Sequence, residues 1–377
     1  GRYLRHFSRS YNVRWFIGCE TPGLTRTNPE SPYELYEVAG FNSSFTEIVK
    51  ANSILVLFVG EKQEYSWFFT SIALSDREDV VPVYGGNSLD EYDVATFKNF
   101  DVVYLSGLRS GDFPDLSEYV EDGGCLILDT GTVDGEDGIA DLPSPFPIEA
   151  ITYEESYLML NSATPHEITE NVDFAMFRME RPFTVSHAGP VKNGASVILY
   201  DGDKPILVHW RQGLGKVFWT GFGLPYLVML HEDYEAKSGE EARLLLNLLR
   251  QAESSGINAS KGAAIFEQKC LEEIVAYVRD ASPRDALWLK MSYYPGWTAQ
   301  IEGEGQAMLR IFTAGPNMML VFPMRSGDYT VRFYFDKTTD VKVGELVSSL
   351  TMVALLIAAF YKAALAQKRT INTKTFR

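Results

Sequence analysis

The chain has 377 residues, 46% hydrophobic, 13% aromatic and 22% charged, a balance that excludes a disordered or low-complexity protein. Its net charge of −16 is unevenly placed: residues 341–377 carry +5, so residues 1–340 carry −21. So acidic a body argues against nucleic acid or anionic lipid as a partner of its surface.

Residues 1–50 form an N-terminal β segment. The runs Val13–Ile17 and Tyr33–Val38 read as short strands, the second alternating Glu34 and Glu37 with apolar neighbours. Residues 51–251 follow an α/β rhythm. SILVLFVG is a continuous apolar run ending in Gly60, as expected of a central parallel strand. SWFFTSIAL (66–74) is helical, VVPVYGG (80–86), DVVYLSG (101–107) and CLILDTG (125–131) are strands, and a short helix lies around Asp115–Val120. This alternation predicts a doubly wound parallel sheet. Residues 195–222 then read as three strands joined by Asp-Gly and Gly-Leu-Gly turns, an antiparallel extension. Ser238–Gln251 closes the unit as a helix with Leu244, Leu245, Leu248 and Leu249 on one face.

Residues 252–262 form a polar linker, and residues 263–340 a small all-β domain, read as a sandwich. Within it, 263–280 is ambiguous: Ile265, Leu271, Ile274, Val275 and Val278 suit a helix, while EEIVAYVRD alternates like a strand. Leu346–Tyr361 is sixteen uncharged, mostly apolar residues, about 24 Å of helix and near the lower limit for a ~30 Å hydrocarbon core. With its flanks it predicts a transmembrane helix over 343–365. The tail, 366–377, has basic residues and no acidic one, which places it in the cytoplasm and the bulk of the chain outside.

The three cysteines, Cys19, Cys125 and Cys270, form no CxxC and no Cys/His cluster, so neither a metal nor a cofactor is expected. A Cys19–Cys270 disulfide is open. Asn42 and Asn258 head Asn-x-Ser sequons in expected loops, candidate glycosylation sites on an exported body. The chain opens at Gly1 without a leader, which implies either the C-terminal part of a longer multi-spanning protein or a cleaved signal peptide.

The segments YVEDGGCLILDTG, PHEITENVDF and KPILVHWRQGLGKVFWTGF, with the strand order, resemble the class I glutamine amidotransferase-like superfamily, in particular its ThuA-like branch. The resemblance implies a flavodoxin-like sheet over about 200 residues. Active members carry a nucleophilic Cys at a strand-to-helix elbow. Here the corresponding strand ends in Asp129-Thr130-Gly131-Thr132, and Cys125 falls inside the strand, so glutaminase chemistry is expected to be lost.

SYYPGWTAQIEG, MMLVFP and SGDYTVRFYF, running into the apolar helix, resemble the C-terminal end of YfhO-like membrane proteins and their archaeal relatives, the 6-pyruvoyl-tetrahydropterin synthase-related membrane proteins. NVRWFIG and YELYEVAGFNSSF are similar to the strand pair that follows the membrane core in that group. The resemblance implies a strand at Glu272–Arg279 and an upstream multi-span region like the GT-C-type glycosyltransferases.

Candidate ligand-binding residues are Asp129 and Thr130 at the strand end, Asp134 in the acidic loop VDGEDGIAD at the carboxyl edge of the sheet, and His166 in PHEIT. Tyr294 and Trp297 offer faces for sugar rings, although a Pro295-Gly296 turn with Trp297 in the sandwich core explains them as well. The expected function is non-catalytic: an extracytoplasmic region positioning a glycan, a lipid-linked sugar or a partner subunit, with the bilayer and other transmembrane segments as neighbours. The alternatives are an accessory subunit of a membrane or cell-envelope complex, and an active amidotransferase-like hydrolase using Asp129 and His166.

Overall fold

The computed structural model describes residues 44–49, 53–74, 79–107, 113–131, 138–230, 239–252, 262–303, 307–336 and 339–374, together with three short N-terminal strands. Those strands, β1 (Trp15–Ile17), β2 (Leu24–Arg26) and β3 (Leu35–Val38), form an antiparallel sheet of order β1-β3-β2. The sequons at Asn42 and Asn258, Cys19 and Asp134 lie outside the described residues.

Strand β4 (Thr46–Val49) precedes the α/β segment: β5 (Ile54–Val59), α1 (Lys62–Leu74), β6 (Val80–Tyr84), α2 (Val94–Phe97), β7 (Val102–Ser106), α3 (Phe113–Glu121) and β8 (Cys125–Asp129). All six residues of β5 are buried, because both faces of the sheet are covered. Leu55, Leu57 and Val59 point to one side, where α3 contributes Leu116, Tyr119 and Val120. Ile54, Val56 and Phe58 point to the other, against Tyr65, Phe68 and Ile72 of α1. Six strands follow: β9 (Ile151–Ser156), β10 (Leu160–Ser162), β11 (Phe183–Ala188), β12 (Ser196–Asp201), β13 (Lys204–Gln212) and β14 (Gly215–Thr220), antiparallel to one another where they pair. β9 and β11 pair as a separate ribbon. The β13–β14 hairpin turns at Gly213-Leu214, with Gln212 opposite Gly215. Helices α4 (Leu224–Leu230) and α5 (Gly239–Arg250) pack on the α1 side, α5 through Leu244, Leu245, Leu248 and Leu249.

The C-terminal strands are β15 (Ala263–Cys270), β16 (Glu273–Ala281), β17 (Ala286–Ser292), β18 (Trp297–Ile301), β19 (Met308–Leu309), β20 (Phe312–Ala314), β21 (Met318–Val321) and β22 (Gly327–Phe335). The ambiguous stretch 263–280 is thus a β-hairpin, β15–β16. Twelve strands form one mixed sheet, ordered β10-β12-β13-β14-β8-β7-β5-β6-β20-β21-β17-β4, of which β14, β8, β7, β5 and β6 are mutually parallel. The sequence divides the chain at 252–262, yet hydrogen bonding crosses that division. β20 pairs with β6, and the Tyr65 hydroxyl donates to the carbonyl oxygens of Gly315 (2.7 Å) and Pro82 (3.1 Å).

A second sheet, β15-β16-β22-β18-β19, lies over β4, β17 and β21. Ile274, Ala276, Val331 and Phe333 from it meet Ile48, Leu287, Leu289, Met319 and Val321 in a third core, so one layer of the sandwich is the end of the central sheet. Pairing this way covers the open edge of β6.

The chain ends in α6 (Thr339–Lys374), a helix of 36 residues, longer at both ends than the predicted span. Val341–Lys362, 22 residues of mean hydropathy 2.0 and unburied, is long and apolar enough to cross a membrane, at about 33 Å.

Candidate functional site

At the carboxyl end of β8, Asp129 and Thr130 are each 1% exposed, inside the protein and not at its surface. Asp129 sits where β8 hands the chain towards the β14–α4 connection. Its Oδ1 accepts the backbone N–H groups of Gly131 and Gly223 (both 3.1 Å), and its Oδ2 accepts the Tyr104 hydroxyl (2.5 Å) and the Leu224 N–H (3.2 Å). Burial pushes the carboxyl up to about 6, against the downward pull of the Tyr104 and backbone hydrogen bonds. Thr130 Oγ1 lies 2.6 Å from Ser186 Oγ and accepts from Trp219 Nε1 at 3.0 Å. Both residues are hydrogen-bonded within the fold on all the sides described. Cys125, inside β8, is buried, and its thiol is pushed up to about 12 by that burial, the opposite of an activated nucleophile.

His166 is not with them. It caps a single 3₁₀ turn (Glu167–Thr169), its Nδ1 accepting the Ile168 N–H at 3.2 Å. Its ring stands 5.8 Å from that of His209 on β13, which stacks on Phe218 at 4.8 Å. His209 is two strands from β8, about 10 Å away, opposite Phe218 and through it Ile127. Among the described residues no hydrogen bond joins His166 to Asp129. Burial lowers both histidines, His209 to about 4, with His166 adding to the effect.

Of the acidic loop, Asp141 is described; it is exposed, with a left-handed φ of 58°. Tyr294 and Trp297 lie at the far end of the second sheet, where Trp297 packs edge-on against Phe335 at 5.8 Å, and Tyr294 stands 6.3 Å from the same ring, largely exposed. The structure therefore pairs Asp129 with Thr130 and Tyr294 with Trp297, and leaves His166 apart from both.

Two arrangements carry no local sequence signal. Asp201 accepts from His187 Nε2 at 3.0 Å, from the Ser156 hydroxyl and from the Met159 N–H at 2.7 Å. Burial alone raises this carboxyl, but those hydrogen bonds outweigh it and hold it below the usual carboxylate value. The acid stands between the serine and the histidine, so His187 is not placed to take the Ser156 proton, as a nucleophilic triad requires. The network ties the β9–β11 ribbon to β12.

The second arrangement is a cleft of about 490 Å³ at the amino-terminal ends of β5, β7 and β8. Its walls come from both sides of the 252–262 division: Lys98, Asp101, Tyr119 and Asp122 from the α/β segment, Arg284 and Phe322 from the later strands. Asp101 Oδ2 accepts the Leu55 N–H at 2.8 Å, and burial pushes its carboxyl up to about 6 although the Arg284 charge pulls it down. Lys98 and Asp122 pair at 2.6 Å on the rim. Carboxylate, guanidinium, amide and aromatic groups converging on one opening suit a polar, hydroxyl-rich ligand. Its residues come from six separate stretches of sequence, which is why no motif marks it.

No protein-family model matches the sequence, and no curated protein matches it. Solved structures are similar at a distance. The cytoplasmic protein STM3548 from Salmonella typhimurium is 14% identical with a TM-score of 0.35, over 53% of this chain and 98% of that one. The exo-beta-1,4-mannosidase Op5Man5 from Opitutaceae bacterium strain TAV5 gives 14% and 0.32, over 52% of this chain and 35% of that one. The GH42 beta-galactosidase Gan42B from G. stearothermophilus gives 12% and 0.30, over 75% and 40%. The chain spans less than half the length of either glycosidase. Likeness at this level bears on neither activity nor family.

Proposed function

We propose that this chain is a non-catalytic, membrane-anchored region that positions a ligand or partner beside the bilayer, with an amidotransferase-like core that has lost its nucleophile. The observation carrying this reading is Asp129: it stands at the strand end where the elbow thiol is missing, 1% exposed and held by four hydrogen bonds. The parallel strand order β6-β5-β7-β8-β14 supports a flavodoxin-like assignment, since it is the order 2-1-3-4-5. The resemblance to YfhO-like and GT-C-type membrane proteins supports an extracytoplasmic body, a cytoplasmic tail and a glycan or lipid-linked sugar as ligand. The cleft at Asp101 and Arg284 is the place for it.

Glycan-array binding by the detergent-solubilised chain tests this, with Arg284→Ala and Asp101→Asn as site variants. Binding that both variants lose supports the reading. No binding, together with stable co-purification of other membrane subunits, favours a structural role in a complex. Hydrolysis of glutamine or a glycoside by the purified chain overturns the non-catalytic reading.

A further inference from the structure

The end of the second sheet from which α6 leaves differs from the opposite end. At the near end, the β15–β16 turn presents Leu271, 85% exposed, and the loop before β18 presents Tyr294, 65% exposed. Both loops are tied to the last residues of β22. The Phe335 N–H donates to the Glu272 carbonyl at 2.8 Å, and the Asp336 N–H to the Gly296 carbonyl at 2.7 Å. The tie at Gly296 depends on a φ of 116°, and a Cβ there would lie 2.8 Å from the Asp336 carbonyl oxygen. Trp297 and Tyr294 flank the Phe335 ring, and Asp336 is neutralised by Lys342 of α6 at 2.8 Å. The turns at the opposite end carry exposed Asp280, Glu302 and Asp328 together with the exposed methionines Met308 and Met324, and no aromatic cluster is described there.

α6 begins at Thr339, two residues before the apolar segment, about 3 Å of helical rise. The headgroup layer of a bilayer is about 5–8 Å deep on each side. With Asp336 paired to Lys342 of α6, the loops bonded to Phe335 and Asp336 lie within reach of that layer, where Tyr and Trp are enriched in membrane proteins. Exposure of Leu271 alone needs no explanation, since Leu214 at the β13–β14 turn is as exposed; what sets this turn apart is its place beside an amphipathic aromatic cluster at the start of α6.

We propose that the Leu271 turn and the Tyr294–Trp297 loop dock into the headgroup layer of the bilayer that α6 crosses, fixing the tilt of the β-sandwich against the membrane. The proposal rests on the reading of α6 as a membrane span. The partner is a zwitterionic lipid surface, since Glu272 at the tip and the −21 body disfavour an anionic one. The two backbone hydrogen bonds hold β22 and both loops together, and the Lys342–Asp336 pair is the described link from them to α6.

The test uses the full chain, with Cys19 and Cys270 replaced by serine, reconstituted in phosphatidylcholine vesicles. An environment-sensitive fluorophore is placed in turn at Leu271→Cys, Tyr294→Cys and, as the opposite-end control, Glu302→Cys, an exposed position away from the cleft. The expected result is blue-shifted emission at 271 and 294, quenched by lipids spin-labelled in the headgroup, with water-like emission at 302. Water-like emission at all three positions in protein that floats with the vesicles overturns the docking proposal and leaves the span intact. A blue shift that headgroup quenchers do not reach assigns the surface to a protein neighbour and overturns it as well. Protein that fails to float removes the span itself, and the proposal with it. Matching circular dichroism of the three variants excludes misfolding as the cause.

Discussion

The Tyr104 hydroxyl donates to Asp129 Oδ2 at 2.5 Å, joining neighbouring parallel strands through two fully buried side chains. Asp129 also holds three backbone N–H groups at the point where β8 and the start of α4 meet. Its role is to satisfy donors that the turn leaves without strand partners. Tyr104→Phe removes one donor from a carboxylate that keeps three, at a cost of about 1–3 kcal/mol. Asp129→Ala strands three buried N–H groups and the tyrosine hydroxyl, and is expected to cost about 3–5 kcal/mol. Urea midpoints at unchanged slope read both. Equal, small losses would show that the network is dispensable.

Gly131 makes a sharper test of the same junction. A Cβ on it would lie 2.0 Å from the Gly223 nitrogen and 2.4 Å from the Phe222 carbonyl carbon, both backbone atoms with no rotamer to escape into. Gly131→Ala therefore has to separate β8 from the β14–α4 turn and pull Asp129 off its donors. The expected outcome is loss of cooperative unfolding, seen as a broadened thermal transition in circular dichroism. A sharp transition within a few degrees of wild type contradicts the close approach.

Acid titration separates two opposing contributions. His209 titrates at about 4 in the fold, whereas histidine in an unfolded chain titrates near about 6.5. Between those values the unfolded chain binds more protons, so this group's stabilisation, complete above about pH 6.5, is lost as pH falls. Asp101 and Asp129, pushed up to about 6 by burial, act in reverse: the folded state binds more protons between about pH 4 and 6, and their contribution declines as pH rises through that window. Comparing melting temperatures at pH 7 and pH 4.5, His209→Gln should lose less on acidification than wild type. An equal loss rules out His209 as a source of the acid sensitivity.

The seam between β4 and β17 carries an ion pair whose lysine is buried and whose glutamate is part-exposed, at 24%. Lys290 of β17, with its side chain 4% exposed, reaches Glu47 of β4 at 2.8 Å and lies 5.5 Å from the Trp288 ring. Glu47→Ala removes the acidic partner of a desolvated ammonium and is expected to cost about 3–5 kcal/mol. The double replacement Glu47→Leu, Lys290→Met, which removes both charges, should recover most of that loss. Chemical denaturation of the three variants measures the recovery, and none at all would place the cost in packing alone.

That seam also marks where sequence reasoning stops. The runs ILVLFV, VVYLS and CLILD announce strands buried on both faces, because only a covered parallel sheet tolerates them. A run of apolar residues does not name its neighbour. Nothing local in Thr46–Val49 signals pairing with Ala286–Leu289, nor in Val83–Tyr84 pairing with Thr313–Ala314. The division at 252–262 is read from composition, which detects the polar linker but not the sheet that continues past it. The site residues divide in the same way. Asp129 is noticeable in sequence because it ends an apolar strand, but its partners Tyr104, Gly223 and Leu224 are brought to it by topology. The cleft at Asp101 and Arg284 is legible only once β21 and β7 are known to share a face.

Among the described residues, none beyond Phe333 belongs to the three hydrophobic cores, and the segment Val341–Lys362 is wholly exposed. The described part of the body covers none of the helix's apolar surface, so the helix is expected to add little to the stability of the rest of the chain. Sixteen uncharged residues span about 24 Å, short for a bilayer; the segment of 22 spans about 33 Å and takes in Lys342, Glu345 and Lys362 near its ends, the two lysines having stems long enough to lift their charges towards water. Deleting residues 339–377 should leave the melting temperature of the body within a few degrees and abolish flotation with phosphatidylcholine vesicles, while the full chain floats and resists extraction at high salt. Release of the full chain by salt would mean that the helix lies on the surface through its charges. A large fall in melting temperature on deletion would mean that it packs on the body.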